Sequence, residues 1–466
     1  MLDAPENALW TADEIAKATG GAVVGDFAVT GVSIDTRTVE KGDLFVPLVG
    51  VRDGHDFVPQ AVANGATGVL AAKAVDAPAV MVEDTFKALE RLGVAARERA
   101  PQCKRGAVTG SVGKTSVTRA VEAGLRLAGK AHASVKSYNN HIGVPLTLAR
   151  MPRDTERAVF EIGMNHADEI IPLSGFVQPH AVAITTVGPV HLENFPDGEQ
   201  GVARAKAEIF AGLQPGGIAV LNADNRWFDF LKGEAEKAGV TVWSFGEAEG
   251  ATARLTGFAV DGEGAIVSLN LRGEPLSFPI RQTGVHWGPN SLCVLLMLEA
   301  LDVPRETALA ALAAFAPIEG RGAEKTIRID GGTFTLVDES YNANPVSMQA
   351  ALKTLGARKV AGRRVVALTD MLELGEDSDR FHAELAEPID RANVDVVFVA
   401  GVHMKSLWEA LPPTRRGGYA EVTEKLTAQL AGAIRPGDVV MVKGSNGSKA
   451  GVLARALAEL DLGEQG

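Results

Sequence analysis

Two cysteines in 466 residues, Cys103 and Cys293, form no spaced motif, which argues against a disulfide framework and fits a reducing cytoplasm. Aromatics make up only 5% of the chain, while Ala and Gly are abundant, a composition suited to helices packed closely on sheets. Basic charge is also short: 46 Lys and Arg face 58 Asp and Glu, a net −12. That speaks against a nucleic-acid partner, although a local Lys/Arg/Mg²⁺ site can oppose the overall sign. No apolar run approaches the ~20 residues of a membrane span. The opening "MLDAPENALWTADEIAKATG" lacks the basic start and apolar core of a signal peptide. No internal repeat or low-complexity tract is visible. What remains is an ordinary globular composition, in a chain too long for one core; two to four domains are expected.

Three textures divide the chain, at 1–103, 104–318 and 319–466. The first opens with a short helix, for which Thr11 and Glu14 have capping-box spacing. Short strands "GAVVG" and "DLFVPL" follow, then helix, Gly break and strand in "DFVPQAVANGATGVLAA". In the second, strands "RAVFEIGM" and "AVAITTV" alternate with helical stretches, as in βαβ units with a largely parallel sheet. The alternation in "AIVSLNLRGEPLSFPI" predicts an antiparallel insert, and "NSLCVLLMLEALDV" and "RETALAALAAF" read as closing helices. Strands "RVVALTD", "VDVVFVAG" and "DVVMVKG" make the third region another α/β unit, with Pro317 and "EGRG" as its hinge.

The second region begins with "VTGSVGKTSVT", Val108 to Thr118. A standard phosphate loop reads G-x-x-x-x-G-K-[ST], but Val108 stands where the first Gly belongs. The shorter Gly110-Ser111-Val112-Gly113-Lys114-Thr115-Ser116 keeps the physics. Two glycines let backbone N–H groups turn toward phosphate oxygens, and the next helix points its positive end there. Lys114 suits the β- and γ-phosphates and Thr115 suits Mg²⁺. A strand before and a helix after make nucleotide binding the reading.

This short loop marks the Mur ligases and the folylpolyglutamate synthases. "NNHIGVPLTL", "FEIGMNHADEI", "GPVHLENF", "AKAEIF", "DESYNANPVSM", "DMLELGE" and "VKGSNGSK" then occur in order, and "SIDTRTVEKGDLFVPLVGVRDGHDF" precedes them. Over nearly its whole length the chain resembles the Mur ligases, most specifically in "YNANP" and "DMLELGE". The resemblance implies three α/β domains: a small nucleotide-sugar domain, a central mostly parallel P-loop ATPase domain with the antiparallel insert, and a C-terminal Rossmann-like domain. It implies that ATP phosphorylates the terminal carboxylate of UDP-N-acetylmuramoyl-tripeptide. The amine of D-alanyl-D-alanine then attacks the acyl phosphate, giving a pentapeptide precursor, ADP and phosphate.

Such a site must hold two anions side by side, which requires concentrated positive charge. Glu161 ends one strand and His191 follows another, expected to be its neighbour, so both belong at the carboxyl edge of the sheet beside the loop. With Thr115 they form the implied set for two Mg²⁺ ions, although either alone is an ordinary loop or strand-end residue. By resemblance, Lys206 is a lysine carbamylated by CO₂, whereas a lone helix lysine is usually a surface charge. His286 and Asn290, four apart in "GVHWGPNSL", are implied at the adenine; Trp287 departs from the family's usual Asn, and Asn290 also suits a helix cap. Arg321 in "EGRG" could reach the γ-phosphate. Asp338 and Glu339 are implied at the ribose, where relatives usually carry two aspartates. Tyr341, Asn342 and Asn344 offer neutral polar groups to the incoming dipeptide, and the same residues suit a turn. Asn446 and Ser448 replace the usual Arg and Met, which leaves Lys443 and Lys449 for the dipeptide's carboxylate. Thr36 and Arg37 are implied at the UDP-sugar; Asp53 and His55 receive no role.

Other readings stay open. Another Mur-type amide ligase fits "YNANP" poorly. A P-loop kinase or a nucleotide-sensing scaffold has no reason to combine Glu161, His191 and Lys206. A cytoplasmic monomer is expected.

Overall fold

The computed structural model describes residues 7–135, 137–261 and 264–463. Three sheets account for the strands' main pairings, and each belongs to one of three α/β domains with mixed sheets. Thr11 caps the first helix, Ala12–Thr19, with the full capping box to Glu14. The first large sheet runs Ala22–Val24, Ala79–Met81, Gly68–Ala71, Asp43–Phe45, Gly31–Ser33, parallel except at the Ala22–Val24 edge. Its core extends into the next domain: Leu146 and Ala149, from the helix Gly143–Ala149, pack with Trp10, Leu89 and Leu92.

The second sheet has nine strands. Lys104–Thr109 lies inside it, flanked by Arg157–Glu161 on one side and Ala181–Ile184 on the other, all parallel. Covered on both faces, these strands are apolar without alternation. The strand carrying Glu161 and the strand preceding His191 are therefore not adjacent; the phosphate-loop strand separates them. Ile218–Asn222 and Thr241–Gly246 continue the parallel run. The antiparallel segment is the sheet's own edge, built from Ala253–Asp261, Gly264–Leu271 and Glu274–Ile280. The outer half of Ala253–Asp261 is solvent-exposed, so it carries no apolar alternation to betray it in the sequence. The helices Trp287–Ala300 and Arg305–Ala314 pack on the sheet with Lys114–Ala128.

The third sheet runs Ala323–Ile329, Gly332–Glu339, Val439–Lys443, Arg364–Thr369, Val396–Ala400, Arg416–Ala420, parallel apart from the first hairpin. Cys103 and Cys293 are buried and unpaired. Among the described residues, no helix is long and apolar enough to cross a membrane.

Candidate active site

Strand Lys104–Thr109 delivers the chain to a tight loop and then to the helix Lys114–Ala128. Gly110 (φ +149°) and Gly113 (φ +89°) adopt backbone angles that side chains rarely reach. A Cβ on Gly110 would also sit 1.9 Å from Thr185 Oγ1, whose hydroxyl donates to the Val112 carbonyl. Ser111 Oγ donates to the Gly188 carbonyl (3.1 Å) and accepts from its N–H (3.0 Å), hanging the segment that leads to His191 on the loop.

The loop opens on a cavity of about 300 Å³ between the second and third domains. The second domain lines it with Ser111 to Ser116, Glu161, His286 and Asn290, and the third with Arg321, Glu339, Tyr341, Asn342, Asn344 and Lys443. Lys114 Nζ donates to the Gly110 carbonyl at 2.7 Å, and burial pulls its pKa down despite the carboxylate of Glu161 nearby. Thr115 Oγ1 donates to Glu161 Oε2 at 2.7 Å, while Glu161 Oε1 accepts from Asn139 Nδ2 at 2.7 Å. Arg321, whose pKa burial also lowers, lies 4.1 Å over the Tyr341 ring. The Tyr341 hydroxyl reaches Ser137 Oγ of the second domain at 2.9 Å.

Lys206 is fully buried in the helix Glu199–Ala207, and burial, together with the charge of Lys114, holds its pKa well below the ordinary lysine range. No hydrogen bond or ion pair reaches its ammonium among the described residues; Glu208 instead accepts from the N–H groups of Asp168 and Ile170. His191 does not line the cavity. Its Nδ1 lies 2.7 Å from Glu373 Oε2 of the third domain, and that contact lowers the Glu373 pKa.

The other sequence candidates divide between the cavity and places away from it. His286 is the residue before the helix Trp287–Ala300, and burial lowers its pKa; Asn290 sits one turn inside, so it does not cap. Trp287 is buried against Phe315. Asp338 caps its own turn through Ser340 N–H and does not line the cavity, whereas Glu339 does and accepts from Lys443 Nζ at 3.3 Å. Lys443 also donates to the Asn342 carbonyl at 3.0 Å. Asn344 caps the helix Pro345–Ala357 through the Ser347 N–H, so its oxygen is already engaged. Lys449 lies off the cavity lining, paired with Glu424 at 2.6 Å. Ser448 bonds Thr369 at 2.6 Å, and Asn446 begins a short 3₁₀ turn. Thr36 and Arg37 also lie off the cavity; Arg37 forks onto Asp35. Asp53 holds both His55 Nδ1 and Lys73 Nζ at 2.7 Å, a knot within the first domain.

Asn139, Ser137 and Glu373 carry no expectation from the sequence. Asn139 lies in "NNHIGVPLTL" and Glu373 in "DMLELGE", so the motifs were visible where the partners were not.

Family models match in order along the chain: a Mur ligase family catalytic domain over residues 28–108, a Mur ligase middle domain over 108–298, and a Mur ligase glutamate ligase domain over 325–446. A UDP-N-acetylmuramoyl-tripeptide–D-alanyl-D-alanine ligase from Rickettsia prowazekii is 32% identical over 95% of this chain and 98% of its own. The ligase of that name from Escherichia coli is 33% identical over 93% and 95%. The crystal structure of MurF from Acinetobacter baumannii superposes with a TM-score of 0.85 at 28% identity, covering 97% of this chain and 99% of that one. The chain belongs to the Mur ligase family and is an ATP-dependent amide ligase.

Proposed function

We propose that this chain joins D-alanyl-D-alanine to UDP-N-acetylmuramoyl-tripeptide at the expense of ATP, through an acyl phosphate, and so supplies the pentapeptide precursor of peptidoglycan. The observation that carries the reading is one cavity into which the second domain brings a phosphate loop and a carboxylate, and the third brings an arginine and neutral polar groups. The names of the full-length relatives support the choice of acid and amine.

Residues 104–318 bind ATP in this reading, 1–103 the UDP-sugar through Thr36 and Arg37, and 319–466 the dipeptide. Of the implied donors, the Thr115 and Glu161 pair, which lines the cavity, fits Mg²⁺. Thr115 Oγ1 and Glu161 Oε2 are 2.7 Å apart, close to the roughly 2.9 Å between neighbouring ligands of an octahedral ion at 2.0–2.1 Å. Thr115 and Glu161 would hold one ion, and Glu161 with His191 Nε2 a second. When bound, such ions supply the charge that lets phosphates and a carboxylate lie together.

Lys114 exchanges its bond to the Gly110 carbonyl for phosphate oxygens, and the anion offsets the cost of its burial. Arg321, steadied on Tyr341, donates to the phosphoryl group in transfer. The Lys206 amine, whose hold on its proton burial weakens, adds to CO₂ in its unprotonated form and releases a proton, leaving a carbamate anion within the reach of Lys114's charge. His286 and Asn290 face the adenine and Glu339 the ribose. Tyr341 and Asn342 meet the dipeptide without a carboxylate that would keep its amine protonated, and Lys443 faces its carboxylate.

Mass spectrometry of products formed from ATP, labelled D-alanyl-D-alanine and the lysine or diaminopimelate tripeptide tests the reading. Phosphate release that requires both substrates, with label in a pentapeptide, is the expected result. Sustained ATP turnover without either substrate, or transfer of a different amine only, overturns it. Lys114→Met should lower the rate by about 10²–10³.

A further inference from the structure

We propose that Glu373 is a positioning residue for His191, reaching from the third domain to set the ring of a cation ligand in the second. This rests on the reading of His191 as such a ligand. Glu373 Oε2 lies 2.7 Å from His191 Nδ1, and the contact is short but bent, so Nδ1 has no straight hydrogen bond among the described residues. Catalytic contacts of this kind commonly straighten when the site fills. A carboxylate at Nδ1–H fixes the tautomer that leaves the Nε2 lone pair for a metal.

Both residues have left-handed backbones, His191 at φ +54° and Glu373 at φ +63°. Neither is glycine, so each conformation is held against a local preference. The supports are visible on both sides. Behind Glu373, the Met371 N–H donates to His382 Nε2 (2.9 Å) and the Leu372 N–H to Ser445 Oγ (3.1 Å). His382 is itself fixed, since its Nδ1 donates to the Ser378 carbonyl at 2.6 Å. Gly375 lies against Glu193, so the loop docks beside the His191 turn. His191 in turn follows the Gly188 segment tied to Ser111 of the phosphate loop. A Glu side chain 54% exposed gains little stability from an ion pair. Its aim at a buried ring nitrogen gives "DMLELGE" a function in the site: cation affinity becomes dependent on how the third domain is docked.

The test is Mn²⁺ binding, followed by electron paramagnetic resonance with a non-hydrolysable ATP analogue, in the full-length protein. His191→Ala defines the His191-dependent affinity. Glu373→Gly removes the carboxylate while relaxing the positive φ, and Glu373→Gln keeps an acceptor without charge. We expect Glu373→Gly to weaken that affinity about 10–100-fold, Glu373→Gln to weaken it less, and the melting temperature not to fall in either. Glu373→Gly should add nothing in a His191→Ala background. Wild-type affinity in Glu373→Gly, or full additivity with His191→Ala, overturns the proposal. Unchanged binding in His191→Ala overturns the ligand reading beneath it. Normal Mn²⁺ behaviour without pentapeptide product would instead remove the proposed substrates and leave this pairing standing.

Discussion

Where the first domain meets the second, Trp10 Nε1 donates to the Ala149 carbonyl at 2.8 Å, and Arg99 lies 3.4 Å over the Trp10 ring while holding the Leu9 and Met151 carbonyls. Leu146 and Ala149 complete an apolar core shared across that boundary. Where the second domain meets the third, Gly188 lies against the Val346 side chain, and beside it hydroxyls and charges meet: Ser137 to Tyr341, His191 to Glu373, Thr283 Oγ1 to Glu324 at 2.6 Å, and Val285 N–H to Thr354 Oγ1 at 3.3 Å. An apolar boundary resists motion and a polar one permits it. By that argument the polar boundary, where the cavity sits, is the one at which movement is expected. Substitutions at the polar boundary should alter catalysis while sparing stability, and those at the apolar boundary should do the reverse.

The largest effect is expected from Arg321→Ala, a drop in kcat of about 10³ or more with the melting temperature held, read by phosphate release beside calorimetry. A comparable loss of melting temperature would place Arg321 in the fold instead. Trp10→Ala should cost about 3–5 kcal/mol of stability in denaturant titration, with the activity per folded molecule nearly kept. Tyr341→Leu, which removes both the ring under Arg321 and the hydroxyl on Ser137, should lower kcat by roughly tenfold, and Tyr341→Phe by only a few-fold. A pH-dependent effect concerns Lys206. Its folded pKa lies below the unfolded value of about 10.4, so between the two the unfolded chain holds the proton and stability falls as pH drops. In CO₂-free buffer, Lys206→Met should therefore gain on the wild type as pH falls below about 10 and match it above. A pH-independent difference would show that burial does not strip that proton.

The phosphate loop was far more legible in the sequence than the boundary between the second and third domains. Gly110, Gly113, Lys114 and Thr115 are neighbours in the chain, and a strand, a turn and a helix start are local matters that composition and spacing report. Glu161 could be assigned to a strand end because strand ends follow from an apolar run. Its bonds to Thr115 and Asn139 depend on sheet order, which the run does not contain. Tyr341 lies 204 residues from Ser137, and Glu373 lies in a different domain from His191, so only docking reveals those pairs. Lys449 shows the opposite limit: its motif put it beside Lys443, but the left-handed turn at Lys449 carries it out to Glu424. Trp10 gave no hint of its role in the sequence, since an aromatic in a two-residue strand has no periodicity to read.

The buried thiols have a practical side. Burial pushes Cys103 up to about 11 and Cys293 higher still, so neither forms appreciable thiolate at neutral pH. A maleimide dye will then label only cysteines that are engineered in. One at Val24 on the first domain and one at Val402 on the third, both exposed, would make a fluorescent ruler for the separation of those domains without disturbing either native sulfur.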